Sequence, residues 1–162
     1  MLTAHLGSGG VATVWEAHDQ LLGTVVAVKL PRRPDEETLG RLRREHRVAK
    51  ALDHPALVGA IDLVEIDDGG LALVQPRLVG ENLGTFLGRR RSLAPEETAA
   101  LFAPIARALE VAHGSGIIHR DIKPPNVFVV SDGSSPPARL LDFGATKLTA
   151  MTGDVAATNA WT

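Results

Sequence analysis

The octet His119 to Asn126, HRDIKPPN, places Asp121 two residues before Lys123 and five before Asn126. Asp121 can accept a proton from an attacking hydroxyl. Lys123 can neutralise a transferring phosphoryl group, and Asn126 can offer its amide oxygen to a divalent cation. The bland alternative, a polar turn with a satisfied aspartate, is outweighed by the whole octet. Asp142-Phe143-Gly144 follows the apolar run RLLD. A carboxylate at a strand end followed by glycine suits Mg²⁺ held against nucleotide phosphates. Alone that tripeptide says little; in this order after the octet it is strong.

Two earlier features belong to the same chemistry. Lys29 ends the apolar strand VAVK, and Glu45 lies in the following RREHRVAKALDHP segment. An isolated strand lysine usually snorkels to water, and one glutamate in a charge run is usually solvated. Paired between strand and helix, the two would instead hold an ammonium where nucleotide phosphates sit. Leu6 to Ala17, LGSGGVATVWEA, is a glycine-rich turn between two strands, whose backbone N–H groups can approach phosphate oxygens closely. No Gly-Lys-Ser/Thr follows it, so it is not a Walker A loop. A strand rather than a helix follows it, so it is not a dinucleotide fingerprint.

These residues need elements to position them. Leu2 to Leu6, Thr13 to His18 and Thr24 to Leu30 read as strands, with turns at Gly7 to Gly10 and Leu21 to Gly23. Residues 35–52 read as a helix with an acidic first turn at Asp35, Glu36 and Glu37. Leu57 to Glu65 and Leu71 to Gln75 read as a strand pair joined by Asp67-Asp68-Gly69-Gly70. Pro95 opens a long helix reaching about His113, and Ile117-Ile118, Val127 to Val130 and Arg139 to Asp142 are short strands. The tail from Thr146 to Thr162 is small, polar and threonine-rich, and is expected to be mobile. A β-rich half with one helix therefore precedes a helix-rich half, an α+β order.

Composition removes several alternatives. The chain has 162 residues, 44% hydrophobic and 22% charged, an ordinary globular mix for one domain. A net charge of -2 and scarce aromatics give no case for nucleic-acid binding. The absence of cysteine removes disulfides, thiol nucleophiles and thiolate metal sites. No signal peptide or membrane-spanning run is visible, so the chain is expected to be cytoplasmic, with any membrane anchor of a parent protein outside it.

Together the four motifs resemble a eukaryotic-type Ser/Thr protein kinase, particularly the bacterial branch, over nearly the whole chain and in family order. The resemblance implies a protein-kinase-like fold, with residues 1–79 as the small lobe and hinge and 80–162 as part of the large lobe. It implies ATP and Mg²⁺ as cofactors and protein Ser/Thr hydroxyls as acceptors. By resemblance, Leu6, Gly7, Ser8, Gly9, Gly10 and Val14 cover the nucleotide. Lys29 contacts the α/β-phosphates and pairs with Glu45. Asp121 orients or deprotonates the acceptor hydroxyl, Lys123 marks the Ser/Thr class, and Asn126 and Asp142 hold Mg²⁺. Val14, Ala27 and Phe128 sandwich the adenine. The hinge falls at Gln75-Pro76-Arg77-Leu78, where the Pro76 carbonyl and the Leu78 N–H would bind the base; Pro76 lacks an N–H but needs none there.

Some positions depart from the family pattern. Ala12 stands where a third loop glycine often sits, with little expected loss because small size is what matters. Ala49, one turn after Glu45, replaces a larger apolar residue that in the family clamps this helix on the DFG phenylalanine. A gap there would cost about 2–5 kcal/mol and leave Glu45 weakly held. Pro104 inside the long helix costs about 3 kcal/mol unless a kink accommodates it. Thr149 and Thr152 fall in the activation-loop region, as autophosphorylation candidates or as ordinary loop threonines. ATNAWT, Ala157 to Thr162, resembles the family's GTPAYM segment, with Thr158 at the threonine that bridges to the catalytic loop. The APE element and later helices are not in the sequence, so a truncated catalytic domain is expected, with an apolar face of the long helix uncovered. The alternatives are an inactive nucleotide-binding or interaction module, and a small-molecule kinase; the Arg120 to Lys123 run argues against the latter.

Overall fold

Five antiparallel strands begin the chain: Leu2–Ser8 (β1), Ala12–Asp19 (β2), Thr24–Pro31 (β3), Asp62–Ile66 (β4) and Gly70–Pro76 (β5). They form one sheet in the order β1-β2-β3-β5-β4. Helix α1, Glu36–Ala51, connects β3 to β4 and packs on β5. The computed structural model describes residues 1–21, 23–66 and 69–148. Leu22, Asp67 and Asp68 of the expected turns lie outside the described residues, as do Thr149, Thr152, Thr158 and the whole of Ala157 to Thr162.

Helix α1 forms where its caps and charges direct. Asp35 accepts from the Thr38 N–H at 2.8 Å, Glu36 and Glu37 occupy the positive end, and Lys50 the negative end. Leu42, Glu45 and Val48 are its buried residues, spaced to share one face. Leu42 joins Leu71 and Leu73 of β5 in one apolar cluster. On the other face of the sheet Ala17, Val26, Val28 and Ala72 form a second.

The second half is built around α3, Pro95–Gly114. Pro95 occupies its first turn, and Glu97 accepts from the Ala94 N–H at 3.0 Å. Leu101, Ile105, Ala108 and Ala112 face inward, as i, i+4, i+7 and i+11 positions must. They meet Val127, Ala138, Leu140 and Phe143 in the largest core. Phe102 and Val111 on the same helix are more than a third exposed. The helix runs through Pro104 without ending. Its missing N–H orphans the carbonyl of Ala100, which is exposed and can be hydrated. Gly80–Asn82 (β6), Val127–Val130 (β8) and Ala138–Leu140 (β9) form a three-stranded sheet, while Ile117–Ile118 (β7) pairs with Lys147–Leu148 (β10).

Three local readings are corrected. Residues 57–61 are not strand: Leu57 and Val58 are buried, and Val58 donates to the Leu140 carbonyl, so the segment starts on β9 and reaches β5 only where Ile61 donates to the Val74 carbonyl at 2.8 Å. A helix not expected from the sequence, α2 (Leu83–Arg90), follows β6, capped by Asn82, which accepts from the Thr85 N–H at 3.0 Å. The tail does not begin at Thr146, which is buried, since Lys147 and Leu148 pair with Ile118 and Ile117.

Gly80 shows how tightly this second half is closed. Its φ is +148°, and an added Cβ would lie 2.0 Å from the Val129 carbonyl oxygen on the paired strand. Gly80→Ala is expected to lower stability by about 1–3 kcal/mol from backbone strain alone, read by urea unfolding. An unchanged midpoint would contradict the β6–β8 register.

Candidate active site

Lys29 is brought from β3 to the inner face of the sheet, where its register partner on β5 is Leu73. Helix α1 packs on that face and presents Glu45. Lys29 Nζ donates to Glu45 Oε2 at 2.7 Å, with side chains 13% and 4% exposed. The same Nζ lies 3.2 Å from Asp142 Oδ2. Burial opposes the Lys29 ammonium, but the Glu45 and Asp142 carboxylates outweigh it and hold its pKa above the ordinary lysine value. Burial pushes the Glu45 carboxyl up, against the pull of Lys29.

The octet forms a loop after β7. His119 is buried; its Nε2 bonds the Leu141 carbonyl at 3.0 Å, and its Nδ1 accepts from the Asp121 N–H at 3.3 Å. A carbonyl can only accept, so Nε2 carries the proton. Asn126 Nδ2 donates to the Asp121 carbonyl at 2.8 Å and to its Oδ2 at 2.9 Å, which leaves the amide oxygen unspent among the described residues. Lys123 Nζ lies 2.8 Å from Asp121 Oδ2. The Leu141 N–H donates to the Asn126 carbonyl at 2.8 Å, so the residue before Asp142 is fastened to this loop. Asp142 Oδ1 accepts from the Gly144 N–H at 3.0 Å. Arg120 and Asp142 both have left-handed φ, +67° and +61°, a strain of about 1–3 kcal/mol each that surrounding bonds must sustain.

The remaining expected positions lie on the first sheet, on its first turn, in the connection after it and on β8. Gly7 and Ser8 end β1, Gly9 donates to the Ala12 carbonyl at 2.8 Å across the turn, and Leu6 and Gly10 are exposed. No hydrogen bond joins this turn to the octet among the described residues. Val14 pairs with Lys29 across β2 and β3, and Ala27 pairs with Gln75 across β3 and β5. Pro76 ends β5 opposite Val26, where β4 no longer runs alongside, so its missing N–H breaks no ladder bond. Leu78 follows in the connection to β6, and Phe128 lies on β8 opposite Asn82 and Arg139.

The sequence from residue 2 to residue 162 matches the family model described as the protein kinase domain. The chain belongs to the protein kinase family. It is 42% identical over 158 residues to the serine/threonine-protein kinase PkaB of Streptomyces coelicolor, covering 90% of this chain and 37% of that protein. It is 34% identical over 155 residues to the serine/threonine-protein kinase pkn3 of Myxococcus xanthus, covering 93% and 28% respectively. PknE of Mycobacterium bovis is 39% identical over 150 residues, covering 89% and 25%. The chain thus spans under two fifths of the length of these relatives. No helix among the described residues is long and apolar enough to cross a membrane.

Within this kinase chain, with Ala49 at the place of a larger residue, Phe143 is still held by its neighbours. Phe143 is 1% exposed, stacks edge-on against His119 at 4.7 Å, and shares its apolar cluster with Val48 of the same helix. Glu45 keeps its 2.7 Å ion pair. A further tie from α1 was not read from the sequence: Arg44 Nη1 donates to the Gly144 carbonyl at 3.3 Å. Its only sequence signal was its place beside Glu45.

The hydrogen bond from Lys123, with that from Asn126, holds the Asp121 carboxyl below the ordinary carboxylate range. A group with a lowered pKa is ionised down to that lowered value. Lys123→Met removes the larger cause, so the Asp121 carboxyl is expected to titrate at higher pH, toward the ordinary aspartate value. An NMR titration of the carboxyl carbon checks it; an unmoved titration would mean that Lys123 does not hold Asp121 ionised.

Proposed function

We propose that this chain is the nucleotide-binding and catalytic-loop part of an ATP-dependent Ser/Thr protein kinase, transferring the γ-phosphoryl group of Mg·ATP to protein Ser or Thr hydroxyls. The observation that carries this reading is the position of Lys29. Drawn from one strand, it bonds both Glu45 of α1 and Asp142 of the second half. A structural lysine needs one partner. A lysine held between two carboxylates, one of them 36% exposed, makes a net negative cluster, which suits an anion that arrives with a divalent cation, as a magnesium nucleotide does.

The donor set fits a magnesium nucleotide. Asn126 has an amide oxygen uncommitted among the described residues, and Asp142 is a hard carboxylate ligand, 36% exposed. No three His, Asp or Glu side chains cluster as a metal cage among the described residues. Magnesium held largely by phosphates and water needs only one or two protein oxygens. When bound, Mg²⁺ neutralises phosphate charge and aligns the γ-phosphoryl group. Lys29 orients the α/β-phosphates. Asp121 receives the acceptor hydroxyl and its proton, and Lys123 offsets charge on the group in transit. Val14, Ala27 and Phe128 enclose the base, Pro76 and Leu78 offer it one acceptor and one donor, and Leu6 to Gly10 cover the phosphates.

The test is transfer of labelled γ-phosphate from Mg·ATP to a mixed protein substrate. Incorporation lost on removing Mg²⁺ supports the reading. A melting temperature raised by Mg·ATP with no transfer would mark a nucleotide-binding module, and transfer only to small alcohols a small-molecule kinase.

A further inference from the structure

Arg77 stands between Pro76 and Leu78, the two positions assigned above to the nucleotide base, and the catalytic reading gives it no task. Its Nε donates to Glu16 Oε2 at 3.1 Å, and its Nη1 donates to the Leu78 carbonyl. Glu16 lies on β2, two residues past Val14, with Ala27 as its register partner on β3. Its Oε1 accepts from the Thr3 hydroxyl of β1 at 3.1 Å. The two charged side chains are 27% and 29% exposed, so the pair is partly sheltered from water. One guanidinium thus ties the hinge to the strands above the base site. The tie joins β2 to the residue just past the end of β5, whose last position, Pro76, pairs with Val26 of β3.

The second bond bears on which base is held. Adenine offers a donor, its amino group, beside an acceptor, its ring nitrogen. The Pro76 carbonyl and the Leu78 N–H complement that pair. Guanine offers an oxygen acceptor beside a ring N–H donor. It could use the Leu78 N–H for the oxygen only if an acceptor for the ring N–H lay next to it, and the Leu78 carbonyl is that acceptor. Arg77 already places one hydrogen bond and a cation on this carbonyl, so a ring N–H could reach only its second lone pair, against the positive charge.

We infer that Arg77, held by Glu16, is a specificity-determining hinge residue that favours adenine over guanine nucleotides and positions the hinge for them. The inference rests on the nucleotide reading above.

The experiment is titration calorimetry of the 162-residue chain with Mg·ATP and with Mg·GTP. The chain itself is expected to bind ATP at least about tenfold more tightly than GTP. Arg77→Met should weaken ATP about three- to fivefold and bring the ATP-to-GTP preference down by about tenfold. Glu16→Gln should share the loss of ATP affinity. The exchanged pair, Glu16→Arg with Arg77→Glu, should regain ATP affinity but not the preference, because a glutamate cannot donate to the Leu78 carbonyl. Arg77→Lys keeps the charge beside Glu16 with one head group for two acceptors. It should hold ATP within about twofold and lose part of the preference, so the test survives if Arg77→Met does not fold.

Equal losses for both nucleotides with a lowered melting temperature would reduce Arg77 to a structural role and overturn the inference. An unchanged preference in Arg77→Met and Arg77→Lys would overturn it while leaving the kinase reading intact. A chain that binds neither nucleotide would overturn both.

Discussion

Asp121→Asn is expected to lower phosphoryl transfer by about 10²–10⁴-fold while leaving Mg·ATP affinity nearly unchanged. Asparagine has the same shape, and its side-chain oxygen can still take the bonds that Asn126 and Lys123 give to Asp121 Oδ2. It cannot take a proton. The carboxylate is otherwise ready for one, since its hydrogen bonds keep it ionised well into acid and its side chain is 33% exposed toward an incoming hydroxyl. No hydrogen bond or ion pair joins the Lys29–Glu45–Asp142 cluster to Asp121 among the described residues, so nucleotide binding is expected to hold. Single-turnover transfer and calorimetric affinity, measured side by side, separate the two. Equal transfer by the variant would remove Asp121 from the chemistry. A parallel loss of affinity would make the variant a folding defect.

The site was legible where its chemistry is local. HRDIKPPN holds three functional groups in one loop, and their mutual bonds, Asn126 to Asp121 and Lys123 to Asp121, span five residues or fewer. Glu45 was harder, since it sits in a run of charges. Its signal is positional: on α1 it falls between Leu42 and Val48, a charge on the buried stripe, which only a buried partner makes tolerable. Contacts between distant segments left no trace. Glu16 and Arg77 are 61 residues apart, and neither residue type marks the other.

The fold shows the same division. Strand β3 is rich in β-branched residues and ends at Pro31, and Gly9 and Gly10 follow β1, so their places could be read. Helix α2 carries Gly84 and Gly88 in eight residues, a weak helical sequence. It stands on the Asn82 cap and on the packing of Leu83, Phe86 and Leu87 into the main core. Residues 57–61 misled in the opposite way. Their apolar run suits a strand, but Leu57 and Val58 are claimed by β9, a segment that follows some 80 residues later and could not be paired with them from pattern alone.

Lys29→Met should separate what the lysine does for folding from what it does for transfer. Transfer is expected to fall by about 10²–10³-fold, the loss of one positioned cation on a charged transition state. Stability is expected to fall as well, by about 3–5 kcal/mol at neutral pH, because Glu45 would remain 4% exposed with no cation beside it. The pH dependence has a definite sign. Burial already raises the Glu45 carboxyl above its ordinary value of 4.5, and removing Lys29 takes away what lowers it. The folded variant therefore holds this proton to higher pH than the unfolded chain does. Its stability deficit should be smallest below pH 4.5 and grow as pH rises through the raised value. Adding Glu45→Leu removes the stranded charge and should recover most of the stability with none of the transfer. Urea unfolding across that pH range, run beside the transfer assay, reads both effects. A Lys29→Met chain as stable as the parent at neutral pH would show that the ion pair is not buried as described, and recovery of transfer in the double variant would show that Lys29 does not act on phosphate.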